Sequence, residues 1–413
     1  WIHGLGAIQE RRISIPISHT AGHPLIVGTT RAGKSRMLDT IIHQAVARGA
    51  ELGQTVVIPR RNAAGGDVWL LDSAILLPSD ASLLLDGCTL KLSDRCRDNF
   101  FRSANCGLGI GEVKPLRNIH LRGQAGATLL GADHPRATGD SAKTLGTQTY
   151  GTDACVAGES QKGDWRNIGI LMANVDGFTL EGLTLRDSHA WAISLEACSH
   201  GTIRDLAFAS TQRRVIDGKT VPILNQDGLD LRQGCHDILI DHITGYTGDD
   251  LIALTAIGGD TGPAGTVPAM MVSSPPPTVG IHHVIIRNLI GHCAAGHGIV
   301  RLLNTGGRQI HDVLLDGLLD TSTEVRSQAA IRIGDANPAW GGVTPLGDTS
   351  RVTITNVTTR ATAAVIIAGS LADSLLSNIT LFDGTGDAVV VRSGPQYVRG
   401  VTQTNVCSVN AQR

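Results

Sequence analysis

The sequence predicts an all-β fold, a single-stranded parallel β-helix (a solenoid) with an N-terminal capping helix. Three observations predict it. Short apolar runs separated by Gly, Asp, Asn and Ser return about every 23 residues, a period that suits one coil of three strands and three turns. Inside the runs apolar and polar residues alternate, as in Val352-Thr353-Ile354-Thr355, which is the two-residue period of a strand. Fifty glycines against 3% aromatics among 413 residues suit many short strands joined by tight turns. A leucine-rich repeat shares this period, but its LxxLxLxxN frame does not occur.

Residues 1–50 come first. Leu25 to Ser35 reads LIVGTTRAGKS and places Gly28, Gly33, Lys34 and Ser35 on the pattern G-x-x-x-x-G-K-[ST]. In a working P-loop, backbone N–H groups cradle phosphates, the lysine meets the β/γ-phosphates and the hydroxyl holds magnesium. Trp1 to Gly49 resembles the nucleotide-binding segment of conjugative coupling ATPases. That fold needs further parallel strands and an acidic strand end. The chain supplies TVVIPRRNAAGGDVWLL instead, so a nucleotide site is not expected. The segment reads as a piece of one gene joined to another, or as a misassigned start. Met37 to Ala47 carries apolar residues at 37, 38, 41, 42, 45 and 46. This spacing predicts a helix over 36–48 with one apolar face, fit to cover the open end of the first coil.

Residues 51–413 read as one β-helix domain. TVVIP, VWLL, AILLP, SLLLDG and TLKL supply the first strands. Residues 131–165 read as a long loop, poor in apolar runs and placed to overhang a site. Coils resume over 175–256, interrupted by a loop, TQRRVIDGKTVPIL. A Gly/Pro-rich insertion at 257–280 must loop out before coils continue over 281–303, 308–334, 351–369 and 373–393.

Composition excludes several function classes. The formal charge of −2 gives no basic field for nucleic acid. No apolar run approaches the roughly 18 residues that span a bilayer. No signal peptide is visible, and the chain starts at Trp1. None of the eight cysteines forms a CxxC, so neither zinc nor any other metal or cofactor is expected. Cys198 and Cys235 fall on equivalent positions of adjacent coils and read as stacked core thiols rather than a disulfide. Cys88, Cys96 and Cys106 lie close enough for one bridge, which sequence leaves open.

Superimposing coils on their apolar residues aligns Leu229, Ile252, Val300 and Ile331 in one inward row, and Leu231, Leu254, Leu302 and Ile333 in a second. The outward row between them is Asp230, Ala253, Arg301 and Arg332. At the preceding turn the equivalents are Asp227, Asp250 and Gly298, and one residue earlier Gln226, Asp249 and His297. Neighbouring coils stand ~4.8 Å apart, so Asp227, Asp249, Asp250 and His297 should share one patch flanked by two arginines. Carboxylates this close repel, so at least one should keep its proton near neutrality. A protonated acid beside an ionised carboxylate is the apparatus of glycoside hydrolysis. Aspartates also cap turns in such folds; their concentration with His297 in consecutive coils favours catalysis.

At these residues the chain resembles the polygalacturonase-like glycoside hydrolases, pectin-cleaving enzymes built on right-handed parallel β-helices. The resemblance covers about residues 53–394 in architecture and 186–334 in motifs. The family's Asn-Thr-Asp, Asp-Asp, Gly-His-Gly and Arg-Ile-Lys motifs stand here, in order, as Asn225-Gln226-Asp227, Asp249-Asp250, Gly296-His297-Gly298 and Arg332-Ile333-Gly334. The resemblance implies Asp249 as general acid, Asp227 and Asp250 as holders of the attacking water, and His297 as orienting the acid or binding substrate. It implies substrate contacts from Asn225, Arg332 and, one coil earlier, Arg301. It also implies inversion at the anomeric carbon, with an acid–base gap of about 6.5–9.5 Å. Gln226 replaces the threonine. Gly334 replaces the lysine, which removes one cation that would hold an anionic sugar. The expected partner is a polysaccharide or oligosaccharide, pectic or neutral, bound by a secreted or periplasmic monomer. A polysaccharide lyase using calcium, and a non-catalytic carbohydrate-binding or tail-spike-like β-helix with Trp191, Tyr246 and Trp340 as stacking groups, stand as alternatives.

Overall fold

The computed structural model describes residues 34–62, 64–96, 98–106, 113–135, 165–257, 280–305, 307–383 and 386–409. Gly28 and Gly33 of the P-loop pattern lie outside these residues, as do the side chains of Lys34 and Ser35 and most of the predicted loop 131–165 and insertion 257–280.

The described strands form a right-handed parallel β-helix. One sheet of ten strands runs from Ile75–Leu77 to Val389–Val391 and carries the aspartate-bearing turns. A second, of fifteen, includes the long strands Ser199–Ala209, His236–Thr247, Ile281–Cys293, Ile310–Asp320, Thr349–Thr359 and Leu371–Phe382. The register is the one the apolar rows predict: Leu229 pairs with Ile252, Ile252 with Val300 and Val300 with Ile331. Ile170 and Ile193 extend this column upstream, and Val365 and Val389 extend it downstream. Stacked inward residues therefore merge into one hydrophobic cluster reaching from Val46 to Ala388. Each fully buried Leu, Ile or Val contributes about 1.5–3 kcal/mol, and the stack repeats that gain coil after coil.

The long strands bend without breaking. At one bend the column Asp205, His242, Asn288, Asn356, Asn378 and Asn405 takes positive φ, between 52° and 58°. Asn and Asp tolerate this left-handed conformation, and their short side chains bond along the stack. Asn378 Nδ2 donates to Asn356 Oδ1 (3.2 Å), and Asn405 Nδ2 to Asn378 Oδ1 (2.9 Å).

The cap forms as a helix, Lys34–Leu52, longer than the predicted 36–48. Gly49 lies inside the helix, where the close approach of Val56 leaves no room for a side chain: a Cβ there would sit 2.6 Å from Val56 Cγ2. The stop is Gly53, at φ 63°, whose N–H bonds back to Ala50 O at 3.2 Å. Val46 is buried against the core, and His43 Nε2 reaches Ala74 O (2.8 Å) on the first coil.

Part of the loop TQRRVIDGKTVPIL is in fact a hairpin. Arg213–Ile216 pairs antiparallel with Lys219–Pro222. Asp217 and Gly218 turn it with φ of 49° and 74°, the two positive values that an Asp-Gly hairpin turn requires. Cys198 and Cys235 are free, buried thiols, and burial pushes Cys235 up to about 12. Cys88, Cys96 and Cys106 are also free, so no bridge joins them.

Candidate active site

The aspartate turns are locked to one another through backbone. Gln226 O accepts N–H bonds from both Gly248 (3.1 Å) and Asp249 (3.3 Å), and Gly228 N donates to Asp250 O at 2.9 Å. Gln226 itself is buried; its Nε2 donates to Ser188 O at 2.6 Å, so the residue replacing threonine braces the turn from behind. Gly228 must be glycine, since a Cβ would fall 2.5 Å from Leu251 O. Gly298 likewise leaves room for the Asp250 carboxylate, whose Oδ1 would lie 2.9 Å from an added Cβ.

Asp227, Asp249 and Asp250 converge as their alignment predicts. One oxygen from each lies within 4.8 Å of the other two. This spacing is shorter than the gap of about 6.5–9.5 Å expected between an inverting acid and base. It follows from placing two carboxylates on one turn and the third a single coil away. Asp227 and Asp250 are buried, and Asp249 is the partly exposed member. Burial, with Asp249 beside it, raises the Asp250 pKa to about 7 against the lowering pull of Arg301 and Arg332. The raised acid expected of a crowded trio is thus Asp250. Three oxygens so placed could also hold a divalent cation such as calcium.

The cleft over the trio holds about 90 Å³ and is lined by Asn225, Trp191, Arg301 and Trp340 besides the aspartates. Asn225 takes φ 53°, the conformation asparagine accepts at a tight turn. Arg301 stacks over the Trp340 ring at 5.4 Å and lies 3.8 Å from Asp250 Oδ2. Arg301 Nη2 and Arg332 Nη2 both reach Asp335 Oδ2, at 3.1 and 2.9 Å. Asp335, buried two residues past the Arg-Ile pair, holds the two guanidiniums together, and sequence reasoning missed it. Its signal was an acidic residue three positions after an arginine at a strand end. Arg232, buried and stacked over Trp191 at 4.8 Å, was also missed. The Nε donors of Arg301 and Arg332 are buried and find no hydrogen-bond partner among the described residues.

His297 is exposed, at the turn where the alignment puts it, and its carbonyl accepts from Gln328 N at 3.1 Å. It does not line the cleft as Asp249 and Arg301 do. Gly334 sits at φ 70°, and a Cβ there would meet Gly369 Cα at 2.3 Å. The next coil occupies the space that a lysine would need.

The family model described as glycosyl hydrolases family 28 matches residues 146–368, more than half of the chain and all of this site. No curated protein matches the sequence significantly. Among solved structures, the endo-xylogalacturonan hydrolase from Aspergillus tubingensis superimposes with a TM-score of 0.53 at 12% identity, covering 94% of this chain and 92% of that one. A mutant tailspike protein of E. coli bacteriophage HK620, in complex with pentasaccharide, also gives 0.53, at 14% identity over 94% of this chain and 64% of that one. At these identities the likenesses show the shared fold.

Proposed function

The chain belongs to the glycosyl hydrolases family 28, and from that premise we propose that it hydrolyses an acidic, pectic polysaccharide with Asp249 as general acid and Asp227 and Asp250 holding the attacking water. The observation that carries the acidic substrate is the pair of partly exposed guanidiniums of Arg301 and Arg332 beside the trio, both anchored at Nη2 by Asp335. A carboxylate on the sugar would meet the exposed edge of these guanidiniums in a charge-assisted bond. The two arginines take over the work of the cation that Gly334 cannot provide.

Exposure divides the three carboxylates. Asp249 is the member a glycosidic oxygen can reach, whereas Asp227 and Asp250 form the floor. The working enzyme carries one proton among the three. In the unliganded site burial holds it on Asp250; substrate binding brings a leaving oxygen to Asp249, and the proton passes to that acid. Asp227 and Asp250 then share a water, which attacks the anomeric carbon and gives up a proton to them as Asp249 donates its own to the leaving oxygen. His297 contacts substrate from the rim, and Asn225 from the opposite wall. Two residues on water and one on the leaving group is the division of labour of inversion, whereas the short spacing of the trio lies nearer the retaining range of about 5–5.5 Å; we assign inversion on the first ground, and the anomer of the product decides it. The chain acts outside the cytoplasm as a monomer. Among the described residues no helix is long and apolar enough to cross a membrane.

The test incubates the protein with polygalacturonate and with neutral polysaccharides. Reducing ends without unsaturated product, lost in Asp249→Asn, are expected on the acidic polymer. Unsaturated product would transfer the trio to cation-assisted elimination, and absence of product on every glycan would leave a binding protein. Proton NMR of the first product checks inversion; a retained anomer would overturn the assignment of water to Asp227 and Asp250.

A further inference from the structure

The hairpin of Arg213–Ile216 and Lys219–Pro222 is inserted just ahead of the turn that bears Asn225 and Asp227, and it is fastened at both ends. At its base, Gln212 O accepts from Ile223 N at 2.7 Å. The base also lies flush on the turn that carries Asp249: a Cβ on Gly248 would stand 3.0 Å from Gln212 N and 2.7 Å from Gln226 Oε1. Only Ile223 and Leu224 separate the hairpin from Asn225, so a shift of the hairpin passes directly to the site.

At its middle and tip the hairpin is tied to a segment far upstream. Arg214 Nη1 donates to Ala132 O at 2.7 Å, and Arg214 Nε stands 4.0 Å from Asp187 Oδ1. At the tip, His134 Nε2 lies 2.8 Å from Asp217 Oδ1, and His134 Nδ1 lies 2.8 Å from Asp94 Oδ2. The other Asp94 oxygen accepts from His134 N at 3.0 Å, which fixes that carboxylate. Carboxylates only accept, so both ring nitrogens must donate, and only the imidazolium carries two N–H groups. A neutral ring would turn a lone pair toward one carboxylate. Other charged groups nearby are engaged elsewhere. Lys91 Nζ holds Asp133 at 2.5 Å, Arg95 reaches Asp72 at 3.2 Å, and His189 Nε2 accepts from Ala132 N at 3.0 Å. Arg213 and Lys219 are exposed on the hairpin itself.

We infer that His134 is a positioning residue: as an imidazolium between Asp94 and Asp217 it clasps the hairpin to the solenoid and so steadies the turn bearing Asn225 and Asp227. The effect on catalysis rests on the hydrolase reading above; the clasp itself does not. Hydrogen bonds to Asp217 and then to Asp94 raise the His134 pKa above its ordinary 6.5. The clasp is therefore at full strength below about 6.5, the value of an unclasped imidazole, and is lost as pH rises through the raised value.

The experiment is hydrogen exchange of the full chain from about pH 5.5 to pH 8.5, with protection in residues 213–222 corrected for intrinsic rates. Protection in the wild type should fall about threefold across the range, the scale of an exposed ion pair. Asp217→Asn leaves an Asn-Gly turn, which takes the same two positive φ values, so the hairpin persists. Its amide can donate to or accept from the ring, so its protection should be flat with pH, as should that of His134→Gln. On the acidic polymer, the wild-type to Asp217→Asn ratio of kcat/KM should be about three at pH 6 and about one at pH 8.5. A merely structural loss would leave that ratio constant. Wild-type protection that is flat with pH, or a pH dependence that survives in both variants, would overturn the clasp. A clasp that opens as expected with a ratio constant at one would overturn its link to the site. Absence of product on every glycan, with protection behaving as expected, would sink the hydrolase reading and uphold the clasp.

Discussion

Replacing Asp250 with asparagine should stabilise the protein at neutral pH while abolishing its activity. The Asp250 carboxyl is buried, and its pKa stands at about 7 against an ordinary value of 3.8. The folded state thus holds a proton that the unfolded chain gives up readily. Below the unfolded pKa both states are protonated and nothing is lost. As pH rises from about 4 to about 7 the unfolded chain ionises first, and stability falls with each unit; above about 7 the loss is complete and constant. About three units at 1.36 kcal/mol each place the full loss at ~4 kcal/mol. Asparagine has the same shape and no charge to desolvate, so the variant escapes the loss. Urea unfolding of both proteins, followed by circular dichroism from pH 4 to pH 8.5, measures the difference between them. Taking that difference cancels the histidines, which titrate in the same window in both. The variant should gain ~2–4 kcal/mol relative to wild type between pH 4 and pH 7.5, then no more. A difference that stays flat across the range would refute the buried, proton-holding Asp250 and the acid inventory built on it.

The same proton should appear in the kinetics: kcat/KM should fall about tenfold per pH unit above about 7, and Asp249→Asn should lose about 10²–10⁴ in kcat, measured by reducing ends on polygalacturonate. Asp335→Asn removes the carboxylate that reaches both Arg301 and Arg332; KM for the acidic polymer should rise about tenfold with kcat little changed, since one charge-assisted bond is worth roughly 1.5–3 kcal/mol. Gly298→Ala places a methyl 2.9 Å from Asp250 Oδ1 and should cut kcat about tenfold with the melting temperature nearly unchanged. Gly334→Lys, which would restore the family's cation, should destabilise the fold by ~1–3 kcal/mol in urea unfolding, because φ is 70° and Gly369 fills the space.

Much of the candidate site was legible because a parallel β-helix repeats its register. Leu229, Ile252, Val300 and Ile331 could be stacked by their apolar parity alone, and whatever sat two or three residues ahead of them was carried into one patch. Asp227, Asp249 and Asp250 came together for that reason. Asp335 and Arg232 escaped because neither belongs to the aligned outward row or the turn before it. Asp335 works through a strand end, and Arg232 through a ring, Trp191, on the preceding coil. The Arg213–Ile216 hairpin was missed although its Asp-Gly turn was in plain view, since its strands leave the solenoid and break the period.

The sequence by itself determined the coil register, the inward and outward faces, and the convergence of the three aspartates, because these depend only on the two-residue period and the repeat length. Tertiary structure alone decided which carboxyl keeps the proton. Depth of burial cannot be read from spacing, and burial is the largest influence on Asp250. It also decided that Gly334 has no room for a lysine and that Asp335 yokes two arginines. Both depend on side-chain reach and on the close approach of successive coils, which a linear pattern does not contain.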